Sequence, residues 1–271
     1  MTDRVLLDIR DEPAGRVAYV TLNRPEKYNG LDLPMLRALA QTPKRIAADR
    51  TIRAVVLAGA GKAFCAGLDF ASVGKAGPVP MARAFLKVPG RKTNLFQQAC
   101  WAWRELPVPV IAVLHGHCFG GGLQIALAAD FRFATPDCGL SVMEAKWGLI
   151  PDMTGSVTLR ELVGMDVAKR LAMTAEVIDG NQALAYGLVT GVADDPRKEA
   201  EALVGQLLTR SPDALALTKR VLHNTWTRSP RWAFWTETVL QARLMRNANT
   251  RIARAANLAK EAPNYVKRSL R

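Results

Sequence analysis

The sequence HGHCFGGGLQ, residues 115–124, joins a strand-like apolar run, VPVIAVL at 108–114, to an apolar helical pattern. No Asp, Glu, Lys or Arg occurs between Leu106 and Ala129, and a stretch of that length could span a bilayer. Prolines, histidines and glycines interrupt it, so we interpret it as a buried strand, a glycine turn and a buried helix. We therefore predict no membrane span.

The three consecutive glycines of this turn, Gly120 to Gly122, let the backbone approach a bound group closely. They also leave N–H groups unpaired at a helix N-terminus, where the helix dipole favours negative charge. A second glycine turn, Phe64 to Asp69, follows the strand-like run 53–58 and offers a free N–H at Leu68. Two such turns on neighbouring strands would hold one oxyanion between them, as an enolate or a tetrahedral intermediate requires.

Strand-like runs alternate with helical patterns in the first part of the chain, which predicts an α/β fold. The strand-like runs are residues 17–22, 53–58, 108–114 and 130–134, with a helical pattern at 33–49. After about residue 155 the patterns are helical: 157–162, 165–174, 181–187, 197–209, 212–225 and 231–255. We predict an α/β core at residues 1–195 and a helical region at 196–271. Because that region is too thin to enclose a core, we expect it to pack on the α/β core or on a partner subunit.

The chain of 271 residues is 49% hydrophobic and 23% charged, as is ordinary for a soluble globular enzyme. Its four cysteines show no CxxC spacing, which argues against a zinc ribbon or a disulfide framework and fits a reducing compartment. The N-terminal segment contains acidic residues and no long apolar core, so it does not have the pattern of a signal peptide. These features predict a cytoplasmic protein.

The charge balance is strongly basic, because 37 Lys and Arg against 24 Asp and Glu give a formal net charge of +13. A positive field attracts nucleic acids, anionic membranes or phosphorylated small molecules, and a solvated basic surface is an equal alternative. Nucleic acid is the less favoured partner, since no RRM or KH pattern is present and an aromatic content of 7% does not suggest a stacking surface.

A third segment, MEAKWGLIPD at residues 143–152, places Glu144 and Asp152 in an otherwise apolar stretch. A carboxylate beside Trp147 and aliphatic side chains should have a raised pKa, which suits general acid–base catalysis. A surface ion pair of Glu144 with Lys146 is the structural alternative.

Residues 70–93 mix glycines and prolines with apolar side chains such as Phe70, Phe85 and Leu86. This pattern predicts a mobile loop-and-helix segment with one apolar side, either a plain connection or a lid over an apolar ligand.

Two histidines, His115 and His117, alternate along a strand and so share a face. No third metal ligand is evident, so we predict structural roles and no metal site. Cys65 and Cys118 lie near the proposed oxyanion hole without a base at motif spacing, and we interpret them as small apolar packing residues.

Together these segments resemble the crotonase superfamily, the enoyl-CoA hydratases and isomerases, from about Val17 to Asp194 and more loosely to the C-terminus. The motifs that carry the resemblance are VAYVTLNRPEKYNGLD (17–32), AFCAGLDF (63–70), HGHCFGGGLQIALAADFRFATPD (115–137), MEAKWGLIPD (143–152) and VIDGNQALAYGLVTGV (177–192). The resemblance implies an α/β fold with a crotonase-type spiral core of ββα units and a C-terminal helical trimerisation region.

The resemblance also implies an acyl-CoA substrate, with no cofactor beyond the CoA that the substrate carries. The N–H groups of Leu68 and Gly121 would bind the thioester oxygen. The CoA-binding residues would be Lys27, Tyr28, Leu31, Ala66, Gly67, Asp69, Lys267 and Arg268, the last two reaching a CoA phosphate within one subunit or across a subunit contact. The family resemblance further implies a homotrimer or a dimer of trimers.

One position departs from the family's pattern. Its hydratases carry two glutamates that hold the added water, at the positions of Gln124 and Glu144 here. Glutamine keeps a hydrogen bond but cannot exchange a proton at neutral pH. The predicted catalytic residues are therefore Glu144 as acid–base, Asp152 as a second acid in the pattern of dienoyl-CoA isomerases, and Gln124 as a hydrogen-bonding residue, for a double-bond isomerisation. A 2-enoyl-CoA hydratase, an acyl-CoA-binding protein with little turnover and an RNA-binding relative remain open alternatives.

Overall fold

The computed structural model describes residues 3–87 and 90–270 as strands on one sheet, a small second sheet, and surrounding helices. The strands are β1 (Val5–Glu12), β2 (Gly15–Leu22), β3 (Ile52–Gly59), β4 (Val110–Leu114), β5 (His117–Phe119), β6 (Phe131–Ala134), β7 (Gly139–Ser141) and β8 (Gly191–Val192). The helices are α1 (Leu33–Ala48), α2 (Phe70–Lys75), α3 (Pro78–Phe85), α4 (Leu95–Arg104), α5 (Gly121–Leu127), α6 (Gly155–Leu162), α7 (Met165–Thr174), α8 (Gly180–Tyr186), α9 (Pro196–Leu208), α10 (Pro212–Thr225), α11 (Pro230–Met245) and α12 (Ala248–Ala259). Two short 3₁₀ turns lie at Pro25–Lys27 and Glu144–Trp147.

The main sheet has the strand order β1-β2-β3-β4-β6-β8, with β1 antiparallel to β2 and the other neighbours parallel. The central strands β3 and β4 are buried along nearly their whole length, as expected of parallel strands covered on both faces. The small parallel sheet of β5 and β7 branches off after β4. Because the parallel strands share a direction, the turns that follow β3 and β4 meet at the same edge.

The charge-free stretch in the middle of the chain forms β4, β5 and α5, which confirms the predicted strand, glycine turn and helix. Within the described part of the chain, no helix is long and apolar enough to cross a membrane.

The sequence patterns did not predict four strands: the edge strand β1 and the short strands β5, β7 and β8. In β1 only Val5 is buried, and charged residues alternate with half-buried ones, so the segment lacks the apolar character of the other strands. The short strands have two or three residues each, which is too few to show a period.

The predicted long helix at 231–255 is wrong, because the chain breaks into α11 and α12 at Asn247. The Asn247 side chain accepts a hydrogen bond from the N–H of Asn249 at 2.8 Å and so begins a new helix. Short polar side chains compete with the helical backbone in this way and favour helix starts.

The first helix of the predicted helical region packs on the α/β core, which is one of the two placements expected for that region, and the division at residue 195 stays a prediction. Ala200, Val204 and Leu208 of α9 pack against β-sheet residues such as Val17 and Ile111. After α9, helices α10 to α12 complete the predicted C-terminal helical region. That this region serves oligomerisation stays a prediction.

Candidate active site

The two glycine turns are joined through their backbones. The N–H of Cys65 donates to the carbonyl oxygen of His117 at 2.9 Å, and the N–H of Phe119 donates to the carbonyl oxygen of Cys65 at 3.0 Å. A Cβ at Gly67, whose φ is +88°, would lie 2.8 Å from the Phe119 carbonyl oxygen and 3.7 Å from the nitrogen of Gly121. The two turns are therefore close enough for both to contact one ligand atom.

The N–H groups of Leu68 and Gly121 have no protein acceptor among the described residues. One neighbour of each is already paired: Asp69 N–H donates to the Leu31 carbonyl oxygen, and Gly120 N–H donates to that of Ser141. Gly121 is also the first residue of α5, where the helix dipole adds positive potential. Two preorganised donors of this kind stabilise a developing oxyanion.

Both N–H groups belong to residues that line one cavity of about 240 Å³. The cavity brings together six of the predicted site residues: Ala66, Gly67, Leu68, Gly121, Glu144 and Asp152. Its remaining wall is largely apolar and includes Phe70 and Phe85 of the segment 70–93, which was predicted to be either a plain connection or a lid. The prediction that this segment is mobile stays open, and its Pro89 lies outside the described residues.

Glu144 begins the 3₁₀ turn and is only 8% exposed. Its Oε1 accepts a hydrogen bond from Gln124 Nε2 at 2.6 Å, whereas its buried Oε2 has no partner among the described residues. Burial raises the pKa of Glu144, and the charge of Asp152 adds to this, while hydrogen bonds from the Glu144 backbone and Gln124 oppose it. A buried carboxylate with one unpaired oxygen and a raised pKa is suited to accept a proton.

Gln124, predicted as a hydrogen-bonding residue of the site, does not line the cavity, and its part in catalysis stays a prediction. Its side chain is 1% exposed and lies behind Glu144. Its Oε1 accepts a hydrogen bond from the N–H of Gly155 at 2.8 Å, which turns its Nε2 toward Glu144. These two hydrogen bonds link Gln124 to Glu144 and to the backbone of Gly155, an arrangement that suits a positioning residue.

Asp152 is half-buried and lines the same cavity as Glu144. Burial raises its pKa, partly offset by a hydrogen bond from its own backbone. Thr154, two residues on, has φ +84°, which is rare for a β-branched residue. Such strain is found where surrounding structure enforces a functional geometry, and here the strained residue links Asp152 to the Gly155 N–H that holds Gln124.

Of the predicted CoA-binding residues, Leu31 and Asp69 make contacts within the protein that hold the glycine turn at 64–69. Leu31 is buried and its N–H donates to the Gly67 carbonyl oxygen at 2.8 Å. Asp69 caps α2 and forms an ion pair with Arg24 at 2.8 Å.

Lys27 and Tyr28 are exposed beside the turn, and the Tyr28 carbonyl oxygen accepts from the N–H of Ala66 at 2.9 Å. That CoA contacts these two residues and the cavity-lining Ala66 and Gly67 stays a prediction.

Lys267 and Arg268 lie at the opposite end of the sheet. The N–H of Arg268 donates to the carbonyl oxygen of Arg50, just before β3, whereas the glycine turn follows the far end of that strand, roughly 25 Å away at about 3.3 Å per residue. Arg268 is 1% exposed, so the prediction that it binds a CoA phosphate is wrong for the site of its own subunit. Lys267 is exposed and would have to act across a subunit contact.

The histidines of the glycine turn make protein contacts. His115 Nε2 lies 3.0 Å from the Gly61 carbonyl oxygen, and the ring of His117 packs against those of Tyr28 and Phe119. Cys65 is fully buried and burial raises its pKa to about 12, which agrees with a packing role.

A second cavity, of about 310 Å³, lies between α10 and the α/β core. Its charged groups are paired with other groups of the protein. Lys219 Nζ donates to Asp130 Oδ2 at 2.7 Å and to the carbonyl oxygens of Trp103 and Val108. The pKa of His223 is lowered to about 3 by burial and by two neighbouring cations, so this imidazole is neutral. A lysine whose three N–H groups are all taken is a structural feature, and we place the active site at the glycine turns.

The two sheets with their surrounding helices, and a cavity lined by two backbone N–H donors and a buried carboxylate, are those of an enzyme of the crotonase fold. The sequence model for enoyl-CoA hydratase/isomerase matches residues 12–268, and the chain belongs to that family.

Relatives named as hydratases and relatives named as isomerases are both similar to this chain. A short-chain-enoyl-CoA hydratase of Clostridium acetobutylicum is 32% identical over 216 residues, 78% of this chain and 79% of that protein. A 1,2-epoxyphenylacetyl-CoA isomerase of Escherichia coli is 30% identical over 254 residues, 92% of this chain and 95% of that protein. A crystal structure of an enoyl-CoA hydratase from Bacillus anthracis superposes with a TM-score of 0.86 at 28% identity, covering 97% of this chain and 98% of that one. The predicted superfamily, fold and enzymatic character are confirmed.

Proposed function

We propose that this enzyme moves a double bond within an acyl-CoA thioester, with Glu144 transferring the proton. The observation that carries the proposal is the amide of Gln124, which stands where the family's hydratases have their first glutamate. Both ends of this amide are engaged, by Glu144 at 2.6 Å and by the N–H of Gly155 at 2.8 Å.

The proposed reaction begins with the thioester oxygen bound between the N–H groups of Leu68 and Gly121. Glu144 Oε2, the oxygen left unpaired, removes a proton from the carbon next to the thioester or at the far end of the unsaturated system. The electron pair of that C–H bond moves toward the thioester oxygen, and the two N–H groups stabilise the enolate. Return of the proton to the other end completes the shift, so no water is consumed and Glu144 regains its charge.

Asp152 supports a variant of this reaction in which the proton returns at a different position. It lines the same cavity and its pKa is raised, so it holds a proton more readily than an exposed aspartate. Proton removal by Glu144 and donation by Asp152 would suit a conjugated dienoyl thioester.

Hydration is the second candidate, and the hydratase names among the relatives favour it. A water molecule attacking the substrate must lose a proton to one group while a second holds it in place. Gln124 cannot take up that proton, and its amide is already occupied on both sides. Asp152 would have to replace the missing glutamate.

The proposed substrate is an acyl-CoA, and the proposed chemistry uses no cofactor besides the CoA that the substrate carries. The net charge of +13 supports a ligand rich in phosphate. Exposed Lys27 beside the glycine turn supports the placement of CoA on that side.

We also propose that the chain forms a homotrimer or a dimer of trimers. Trp232, Phe234 and Trp235 of α11 are each more than half exposed in the single chain. A large apolar surface of this kind marks an interaction site, and a second copy of the chain would cover it.

The proposed reaction is tested with a panel of 2-enoyl-, 3-enoyl- and 3,5-dienoyl-CoA esters, whose products are identified by mass and ultraviolet spectrum. We expect products of unchanged mass from the 3-enoyl or dienoyl esters. Products heavier by one water as the main outcome would replace isomerisation with hydration, and binding without any conversion would favour an acyl-CoA-binding protein.

A further inference from the structure

The apolar half of the active-site cavity is unusually rich in aromatic rings. Phe70, Phe85, Phe96 and Trp147 account for four of its 15 lining residues, whereas aromatic residues make up 7% of the chain. Cavities that take an alkyl chain need only apolar walls, so a concentration of rings indicates a more specific ligand group.

The rings form two pairs. Phe70 and Trp147 have their centroids 4.6 Å apart at an interplanar angle of 36°, and Phe85 and Phe96 are also 4.6 Å apart, at 32°. Each pair joins the α2–α3 segment to the body of the protein. Phe96 is buried, but the other three rings are well exposed to the cavity side and to solvent, so they have surface left for a further group.

An aromatic ring of a bound ligand would find favourable partners here. Aromatic groups attract one another at centroid separations of about 4.5–7 Å, beyond the gain from burying apolar area. Met143 and Met153 line the same cavity and offer sulfur atoms, which also interact favourably with rings. A flexible alkyl chain gains none of these contacts and loses more conformational freedom when it is held.

We propose that the acyl group of the substrate carries an aromatic ring, so that the substrate class is an aryl-substituted acyl-CoA. The inference rests on the proposed function, because the N–H groups of Leu68 and Gly121 fix where the acyl group begins. The ring pairs line the same cavity and so are available to the rest of the acyl group.

Three saturated thioesters with nine acyl carbons each test this inference: 3-phenylpropanoyl-CoA, 3-cyclohexylpropanoyl-CoA and nonanoyl-CoA, with free CoA as reference. None contains a double bond to move, so calorimetry reports binding alone. We expect 3-phenylpropanoyl-CoA to bind about tenfold more tightly than either other thioester, since each aromatic contact contributes a few-fold in affinity.

A matched pair of substitutions locates the effect. Trp147→Leu should abolish most of the preference for the phenyl group. Trp226→Leu should leave it unchanged, because Trp226 is similarly exposed, 61% against 57%, but lines the other cavity.

Equal affinities of the three thioesters, or tightest binding of nonanoyl-CoA, would overturn the aromatic assignment and leave the proposed function standing. Failure of all three thioesters and of free CoA to bind would instead remove the proposed function. A preference that survives in Trp147→Leu would show that the Phe70–Trp147 pair is not its source, and one that also survives in Trp147→Leu combined with Phe85→Leu would overturn the assignment to the two ring pairs.

Discussion

Gln124 and Glu144 form a buried hydrogen bond of 2.6 Å, in which Gln124 Nε2 donates to Glu144 Oε1. The N–H of Gly155 holds the other end of the amide, so the direction of the hydrogen bond is set by the fold. This leaves Glu144 Oε2 as the carboxylate oxygen without a described partner. In the proposed reaction, Oε2 is therefore the oxygen that takes the proton, and Gln124 supplies no second proton-transfer group.

Replacing Gln124 with the nearly isosteric methionine should raise the pKa of Glu144 further, because the hydrogen bond from Gln124 stabilises the charged form. The acid limb of the kcat/KM profile should therefore move to higher pH. A purely structural role would lower activity equally at all pH values and leave the limb where it is.

The Gln124→Glu variant should gain hydration of 2-enoyl-CoA, since it supplies the second carboxylate. Two carboxylates at this distance raise one another's pKa, so we expect the gain to appear mainly at higher pH. The rate of water addition across the pH range checks this. Absence of hydration at every pH would mean that the missing acid does not limit water activation.

Glu144→Gln should make the protein more stable at pH 7. Burial raises the folded-state pKa of Glu144 above its ordinary value, so the folded protein is favoured when this group is protonated. That stability is present at acid pH and is lost as the pH rises through the folded pKa. The gain in Tm over the wild type should thus shrink toward pH 4. A gain independent of pH would contradict the link to titration.

Gly67→Ala should lower both stability and turnover. The added Cβ would lie 2.8 Å from the Phe119 carbonyl oxygen, and overpacking of this kind costs about 1–3 kcal/mol. Displacing the N–H of Leu68 should reduce kcat about 10²–10³-fold. Gly77→Ala is the matched control, because Gly77 also has a positive φ, +79°, but has open space around it. Equal losses in both variants would point to backbone strain alone.

Polar substitution of Trp232, Phe234 and Trp235 together should convert the oligomer to a soluble monomer. These side chains are exposed in the single chain, so their loss removes apolar contacts with a partner and little within the α/β core. Light scattering measures the mass. An unchanged trimer or hexamer would show that α11 is not the contact.

The local parts of this structure could be predicted from sequence, because a glycine turn after an apolar run depends on neighbouring residues. Leu68 was found in this way, whereas Gly121 came from the family resemblance and Glu144 from its apolar surroundings, and all three line one cavity. Contacts between distant segments were not predictable: nothing near Gln124 in sequence indicates that Gly155 fixes its amide. Arg268 was misplaced for the same reason, since its basic neighbourhood suggested a phosphate while tertiary packing buries it.

The most direct test of the account compares wild type and Glu144→Gln on 3-enoyl- and 2-enoyl-CoA, with Glu201→Gln as an exposed control. We expect the wild type to shift the double bond without mass change, the control to match it, and Glu144→Gln to be about 10²–10⁴-fold slower with little change in thioester affinity. Brisk hydration of 2-enoyl-CoA by the wild type, undiminished in Glu144→Gln, would contradict both the proposed reaction and the residue assigned to it.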